Sequence, residues 1–174
     1  WVLGLYFAAA AAAMPLWVRS VRRFGLLRPW LAAMCVAIAA FAGAAALGPG
    51  DLALFAVICV ASGLALGADL VVPPALLAGL IQRRRSASAT GGAQADEAGV
   101  EGLWFGWWNF ANKLTLALAA GIALPLVQWL GYRPGARDEA SLAALAICYA
   151  LVPCAFKAFA AFLLWTHRET WPWA

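Results

Sequence analysis

The sequence has little charge for its length. Of its 174 residues, 11% are charged and 66% are hydrophobic, whereas a typical soluble domain is about 25% charged and about 45–50% apolar. A chain this short cannot cover a water-exposed surface with so few polar residues. The composition excludes an ordinary soluble globular domain, and it predicts that lipid is the solvent.

Residues that carry catalysis or bind metal are also scarce. His167 is the one histidine, and the four cysteines lie in apolar stretches without metal-ligand spacing, so neither a disulfide nor a metal site is expected. The sequence has no nucleophile-elbow, phosphate-loop or zinc-protease motif, and no basic stripe typical of nucleic-acid binding. We therefore expect no enzyme, no metal and no nucleic-acid partner.

The sequence does contain five long apolar segments. Each approaches or exceeds the roughly 20 residues that a membrane-spanning helix needs, and glycine, proline or charge separates them. We expect an all-α membrane protein, a single transmembrane bundle over residues 1–174, with spans at about 1–17, 29–47, 52–81, 102–130 and 140–166 and loops at 18–28 and 82–100. Because Trp1 is not a methionine and lies inside an apolar segment, we expect a piece of a longer protein.

Basic residues lie mainly on one predicted side of the membrane. Residues 18–28, residues 82–100 and the C-terminus together hold eight, while the opposite turns hold two, Arg133 and Arg137. The positive-inside rule places the richer side in the cytoplasm. We expect a multi-pass protein of the cell membrane, the inner membrane in a bacterium, with a cytoplasmic C-terminus.

The fourth predicted span carries a polar face. Asn109, Asn112 and Lys113 are spaced i, i+3 and i+4, so they share one side of a helix. Lys113 lies about 16 Å from the start of the span near Gly102, where a lysine costs about 2.5–3.5 kcal/mol. The face indicates either a polar substrate or cation pathway or a hydrogen-bond cluster between helices.

Other spans hold features with two interpretations. Asp69 lies seventeen residues beyond Leu52 and either lines the pathway or pairs with an arginine near the interface. Lys157 either lines the pathway as well, or is simply near enough to the cytoplasmic side for its ammonium to reach water. Pro73 and Pro74 interrupt the third span, either as a gate or as a simple kink.

The segment 18–28 reads VRSVRRFGLLR and is either a topology signal or a cytoplasmic gate or latch. Gly25 permits a tight turn, and the arginines beside it could bond helix ends or an acid across the bundle; these are Arg19, Arg22, Arg23 and Arg28. Glu101 could be that acid, although an acid also suits the start of a helix.

Three segments resemble one transporter family. They read GADLVVPPALLAGL, EGLWFGWWNFANKLTLALAAGIALPLVQWLGYRPG and LAALAICYALVPCAFKAFAAFLLW. They are similar to the glycoside–pentoside–hexuronide (melibiose permease-like) cation symporters of the major facilitator superfamily. The resemblance covers nearly the whole chain and implies helices eight to twelve, part of the C-terminal bundle of a twelve-helix fold. Relatives commonly have an acid where Gly79 stands.

The resemblance also implies a function. It implies uptake of a sugar or related solute by alternating access, coupled to a sodium ion or proton and without other cofactors. Lys113 falls on the family's lysine beside the polar cavity, and the acids that bind the cation lie in an N-terminal bundle beyond this chain. The alternative is a non-transporting membrane protein, an assembly or structural subunit whose polar face binds other helices.

Overall fold

The computed structural model describes residues 1–48, 50–88, 97–132 and 147–167. These residues form five α-helices, which are α1 at Val2–Phe24, α2 at Leu27–Ala45, α3 at Leu52–Ser88, α4 at Glu97–Trp129 and α5 at Val152–Thr166. A π-helical turn, Ile147–Leu151, leads directly into α5. With that turn included, all five helices are long and apolar enough to cross a membrane. The predicted all-α membrane fold is confirmed.

The connection between the first two helices is shorter than the sequence predicts. α1 continues to Phe24 and α2 begins at Leu27, so the predicted loop 18–28 shrinks to a turn at Gly25 and Leu26. Arginine continues a helix readily, which is why the basic segment stays helical. Gly25 ends α1 with a φ of 80°, and its N–H donates to the Val21 carbonyl oxygen at 3.0 Å.

The long hydrophilic segment is also shorter than predicted. α3 extends to Ser88 and α4 starts at Glu97, so both helices reach into the predicted loop 82–100. The predicted start of the last span, at residue 140, lies outside the described residues.

The predicted interruption at Pro73 and Pro74 does not end α3. Each proline lacks an N–H, so the carbonyls of Asp69 and Leu70, four residues earlier, lose their helical donors. Membrane helices tolerate this loss where neighbouring helices support the segment. Val72 beside the prolines is fully buried, and α3 packs against both α1 and α2, which keeps the helix continuous.

Two glycines bring α1 and α3 into close contact. A Cβ atom on Gly63 would collide with the Tyr6 carbonyl oxygen, and one on Gly67 would lie 2.9 Å from the Ala10 carbonyl oxygen. Small residues four apart let membrane helices approach in this way. The Trp17 indole adds a hydrogen bond of 2.8 Å to the Leu64 carbonyl oxygen, so the two helices form one tightly packed pair.

On its other side, α2 packs against α5. Leu27, Met34 and Leu164 form a buried apolar cluster there, covered by Trp30, Leu31 and Ala161. Further along the same contact, the Cys154 thiol donates to the Ile38 carbonyl oxygen at 3.6 Å. α2 therefore packs against both α3 and α5.

α4 lies at the margin of this bundle. In the most apolar stretch of α4, 6% of the residues are buried, against 33% in the most apolar stretch of α3. Among the α4 side chains that the structure describes, Val127 is the buried apolar one. Most of the surface of α4, including the middle of the helix, is open.

Candidate functional site

Asp69 lies at a meeting point of three helices. The Lys157 ammonium, on α5, donates to the Asp69 Oδ2 atom and forms an ion pair with it. The Trp30 indole, on α2, donates to the other oxygen, Oδ1, at 3.1 Å. The Asp69 and Lys157 side chains are 30% and 23% exposed. The carboxylate of α3 thus binds α2 and α5 through both of its oxygens.

The partner of Asp69 is a lysine and not the arginine that the sequence suggested as one interpretation. One interpretation of the sequence was that Lys157 extends toward water. In the structure its ammonium is instead bound to this carboxylate. One signal could have identified the pair. Asp69 and Lys157 each lie seventeen residues from the predicted outer end of their spans, Leu52 and Ala140, so they reach about the same depth.

Further polar groups lie at this level of the bundle. The carbonyls of Asp69 and Leu70 have no helical donor, because Pro73 and Pro74 occupy the donating positions. The continuous helix and the ion pair therefore share one polar layer within the membrane-spanning part.

Lys113 lies at the midpoint of α4, with sixteen helical residues on either side. Its side chain is exposed, and in the part of the chain that the structure describes no carboxylate pairs with it. Asp69 forms its ion pair with Lys157 and not with Lys113. Two lysines within the spans are thus in opposite situations, one neutralised and one open.

The two asparagines predicted beside Lys113 bond to their own helix. The Asn109 amide donates to the Phe105 carbonyl oxygen at 3.0 Å, and the Asn112 amide donates to that of Trp108 at 2.9 Å. Both side chains are exposed. The interhelical hydrogen-bond cluster that was one interpretation is therefore not formed by these amides.

A shallow hollow adjoins this polar face, lined by Gly102, Leu103, Gly106, Trp107 and Phe110. Gly106 leaves open space where a Cβ atom would stand. The rings of Trp107 and Phe110 pack edge to face with centroids 5.7 Å apart. Phe110 precedes Lys113 by three residues, so the aromatic hollow and the polar face form one continuous surface.

Glu101 joins α4 to α3. Its Oε2 atom accepts from the Arg85 Nη2 atom at 2.9 Å, and the two side chains are 44% and 41% exposed. The neighbouring Arg84 guanidinium lies 5.5 Å above the centroid of the Trp104 ring. These two contacts cross between the end of α3 and the beginning of α4.

The predicted latch between Glu101 and the arginines of residues 18–28 is not what the structure shows. Glu101 bonds Arg85 instead, because α3 extends past its predicted end and brings that arginine to the start of α4. The four arginines of residues 18–28 are all exposed, and the turn at Gly25 separates them into two groups.

The family model described as MFS/sugar transport protein matches residues 1–168. The chain belongs to this family. No curated protein and no solved structure matches the chain.

As a member of the MFS/sugar transport family, the chain is a multi-pass membrane protein of a transporter type. This function gives a reason for a lysine in the middle of an apolar helix. Charged residues inside spans usually face a water-filled cavity or an opposite charge. Lys157 has its opposite charge in Asp69, whereas Lys113 has no carboxylate partner in the part of the chain that the structure describes.

Proposed function

We propose that the chain is part of the C-terminal bundle of a twelve-helix secondary transporter of the glycoside–pentoside–hexuronide type. It moves a sugar or related solute together with a sodium ion or proton. The family match and the five spans support the transporter class. The chain acts by alternating access, this bundle rocking against an N-terminal bundle around a site near the membrane midplane.

The observation that carries the proposal is the position of Lys113. It stands at the centre of α4 and is exposed, yet a lysine facing lipid at that depth costs about 2.5–3.5 kcal/mol. A water-filled path between two bundles removes most of this cost, because the ammonium stays hydrated there. Lys113 therefore lines the solute path, and Asn109 and Asn112 offer amide oxygens beside it.

The surface of α4 also suits the chemistry of a sugar. A sugar ring has apolar C–H faces and a rim of hydroxyl groups. The exposed rings of Trp107 and Phe110 lie beside the donors and acceptors at Lys113 and Asn109. Ligand sites commonly combine apolar walls with a few polar groups that fix orientation, and this surface offers both kinds of group on one helix.

The coupling ion is bound mainly by the other bundle. Asp69 is the one acid within the five predicted spans of this chain, and both of its oxygens already accept hydrogen bonds, from Lys157 and Trp30. It therefore serves the pathway as a structural ion pair and not as a cation ligand. No cofactor and no catalytic step are part of the proposal.

The cytoplasmic latch in this bundle is the Arg85–Glu101 pair, which ties α4 to α3 at one end of both helices. We place this end and the C-terminus in the cytoplasm, because eight basic residues lie on that side against two. The host membrane is the cell membrane, the inner one in a bacterium.

Solute uptake by the full-length protein in vesicles tests the proposal. Glycosides, pentoses and hexuronates are offered with a sodium or proton gradient, to the wild type and to Lys113→Ala. The control is Leu118→Ala, which removes an exposed side chain from a different face of α4. We expect uptake to fall at least tenfold in Lys113→Ala and to persist in Leu118→Ala, a tenfold loss being about 1.4 kcal/mol. Unchanged uptake in Lys113→Ala would remove that residue from the pathway.

A further inference from the structure

The turn between α1 and α2 has an unusual concentration of one charge. Residues 1–50 contain no acid, and four arginines stand within ten residues, Arg19, Arg22, Arg23 and Arg28. All four are exposed. In the part of the chain that the structure describes, no carboxylate pairs with any of them. We call residues 19–28 the arginine hairpin.

The fold itself does not account for this cluster. Arg22 and Arg23 stand in the last turn of α1, where the helix dipole favours a cation. Arg28 stands in the first turn of α2, where the dipole opposes a cation and where no acid compensates it. The two-residue turn at Gly25 nevertheless holds Arg28 at the same end of the bundle as Arg22 and Arg23. The arginine hairpin therefore carries positive charge that no acid neutralises in the part of the chain that the structure describes.

Apolar side chains accompany the arginines. Phe24, at the turn, is 52% exposed, and the Arg23 guanidinium lies 5.3 Å above the centroid of its ring. Leu16 and Val18 are exposed immediately before the hairpin. The tryptophans Trp17 and Trp30 border it, and tryptophan is typical of the membrane–water boundary. Guanidinium groups beside exposed apolar side chains fit the level where lipid headgroups meet acyl chains.

We propose that the arginine hairpin binds the phosphate of an anionic phospholipid. A guanidinium forms two parallel hydrogen bonds to phosphate oxygens, and basic clusters next to spans are attracted to anionic lipid. The acyl chains of that lipid lie against Phe24 and the exposed apolar residues of α1. The site does not depend on which solute is carried, and its ligand is a membrane lipid and not free phosphate.

Lipid retention by the full-length protein tests this site. The protein is taken from nanodiscs of equal phosphatidylcholine and phosphatidylglycerol, and native mass spectrometry counts the lipids that remain bound. The variant is Arg22→Gln/Arg28→Gln. The matched control, Arg133→Gln/Arg137→Gln, removes the same charge from the opposite predicted side. A parallel sample contains excess inorganic phosphate.

We expect the wild type and the control to retain phosphatidylglycerol over phosphatidylcholine. One arginine at an anionic surface corresponds to about a fivefold change in binding, so the double variant should lose about 30-fold of this preference. Inorganic phosphate should not displace the lipid. If two glutamines prevent folding, the single variant Arg28→Gln should still lose about fivefold.

Three results would overturn the proposal. The first is a wild type that retains both lipids equally. The second is full retention of phosphatidylglycerol by the folded Arg22→Gln/Arg28→Gln variant, or by Arg28→Gln if only that variant folds. The third is an equal loss in the hairpin variant and the control, because overall charge would then explain the binding.

Discussion

Replacing Asp69 by asparagine measures how much the ion pair with Lys157 contributes to the stability of the bundle. Asparagine has nearly the same shape, and its side-chain oxygen can still accept from the Trp30 indole, as the Asp69 Oδ1 atom does at 3.1 Å. The charge that neutralises Lys157 is lost. The substitution therefore leaves the packing in place and leaves one ammonium without its counter-charge between α3 and α5.

The size of the effect follows from the burial of the pair. Removing one partner of a fully buried pair costs about 3–5 kcal/mol. Lys157 is 23% exposed and can extend partly toward the interface, which lowers the cost to about 1–2 kcal/mol. At about 2–4 °C per kcal/mol for a chain of this size, the midpoint of unfolding should fall by about 2–8 °C.

Thermal unfolding of the full chain in detergent measures this change. Lys157→Met, which leaves Asp69 uncompensated, should lose a similar amount. The double variant Asp69→Asn/Lys157→Met removes both charges and should recover most of the loss, because coupled residues do not behave additively. A double variant whose loss equals the sum of the two single losses would refute the pairing.

Two further predictions concern the helix contacts. Gly67→Ala places a Cβ atom 2.9 Å from the Ala10 carbonyl oxygen and should lower the free energy of unfolding by about 1–3 kcal/mol. The control Gly106→Ala meets open space and should be neutral or slightly stabilising in the same unfolding assay. Equal effects of the two substitutions would contradict the close contact of α1 and α3. Glu101→Gln should lower the free energy of unfolding by less than about 1 kcal/mol, because the pair with Arg85 is over 40% exposed. The loss should be smaller still in high salt, since salt screens exposed ion pairs. A loss independent of salt in the same assay would show that the pair is not acting through charge.

The sequence identifies the helices well because a membrane imposes a length and an apolar composition on each span. It identifies their ends less well. The arginines after residue 17 indicate a loop by the positive-inside rule, yet arginine also continues a helix, and α1 ends only at Gly25. Pro73 and Pro74 indicate an interruption by their own chemistry, whereas the neighbours of α3 decide that the helix continues.

The contacts between helices depend on which faces meet, and a single sequence does not state that. The spacing of Gly63 and Gly67 is a known signal for close packing, but it does not name α1 as the partner. The equal depths of Asp69 and Lys157 indicate a possible pair in the same limited way. Lys113 could be selected from sequence because its depth alone makes it costly, and the structure adds that its face of α4 is open.

The most direct test of the central claim is the water accessibility of position 113. In a full-length protein whose native cysteines are replaced, Lys113→Cys and Leu118→Cys are treated with a charged maleimide in membranes, with and without the transported sugar. We expect rapid labelling at position 113, protection of that position by the sugar, and little labelling at position 118. Equal labelling of both positions, or no labelling at 113, would contradict a solute path along this face of α4.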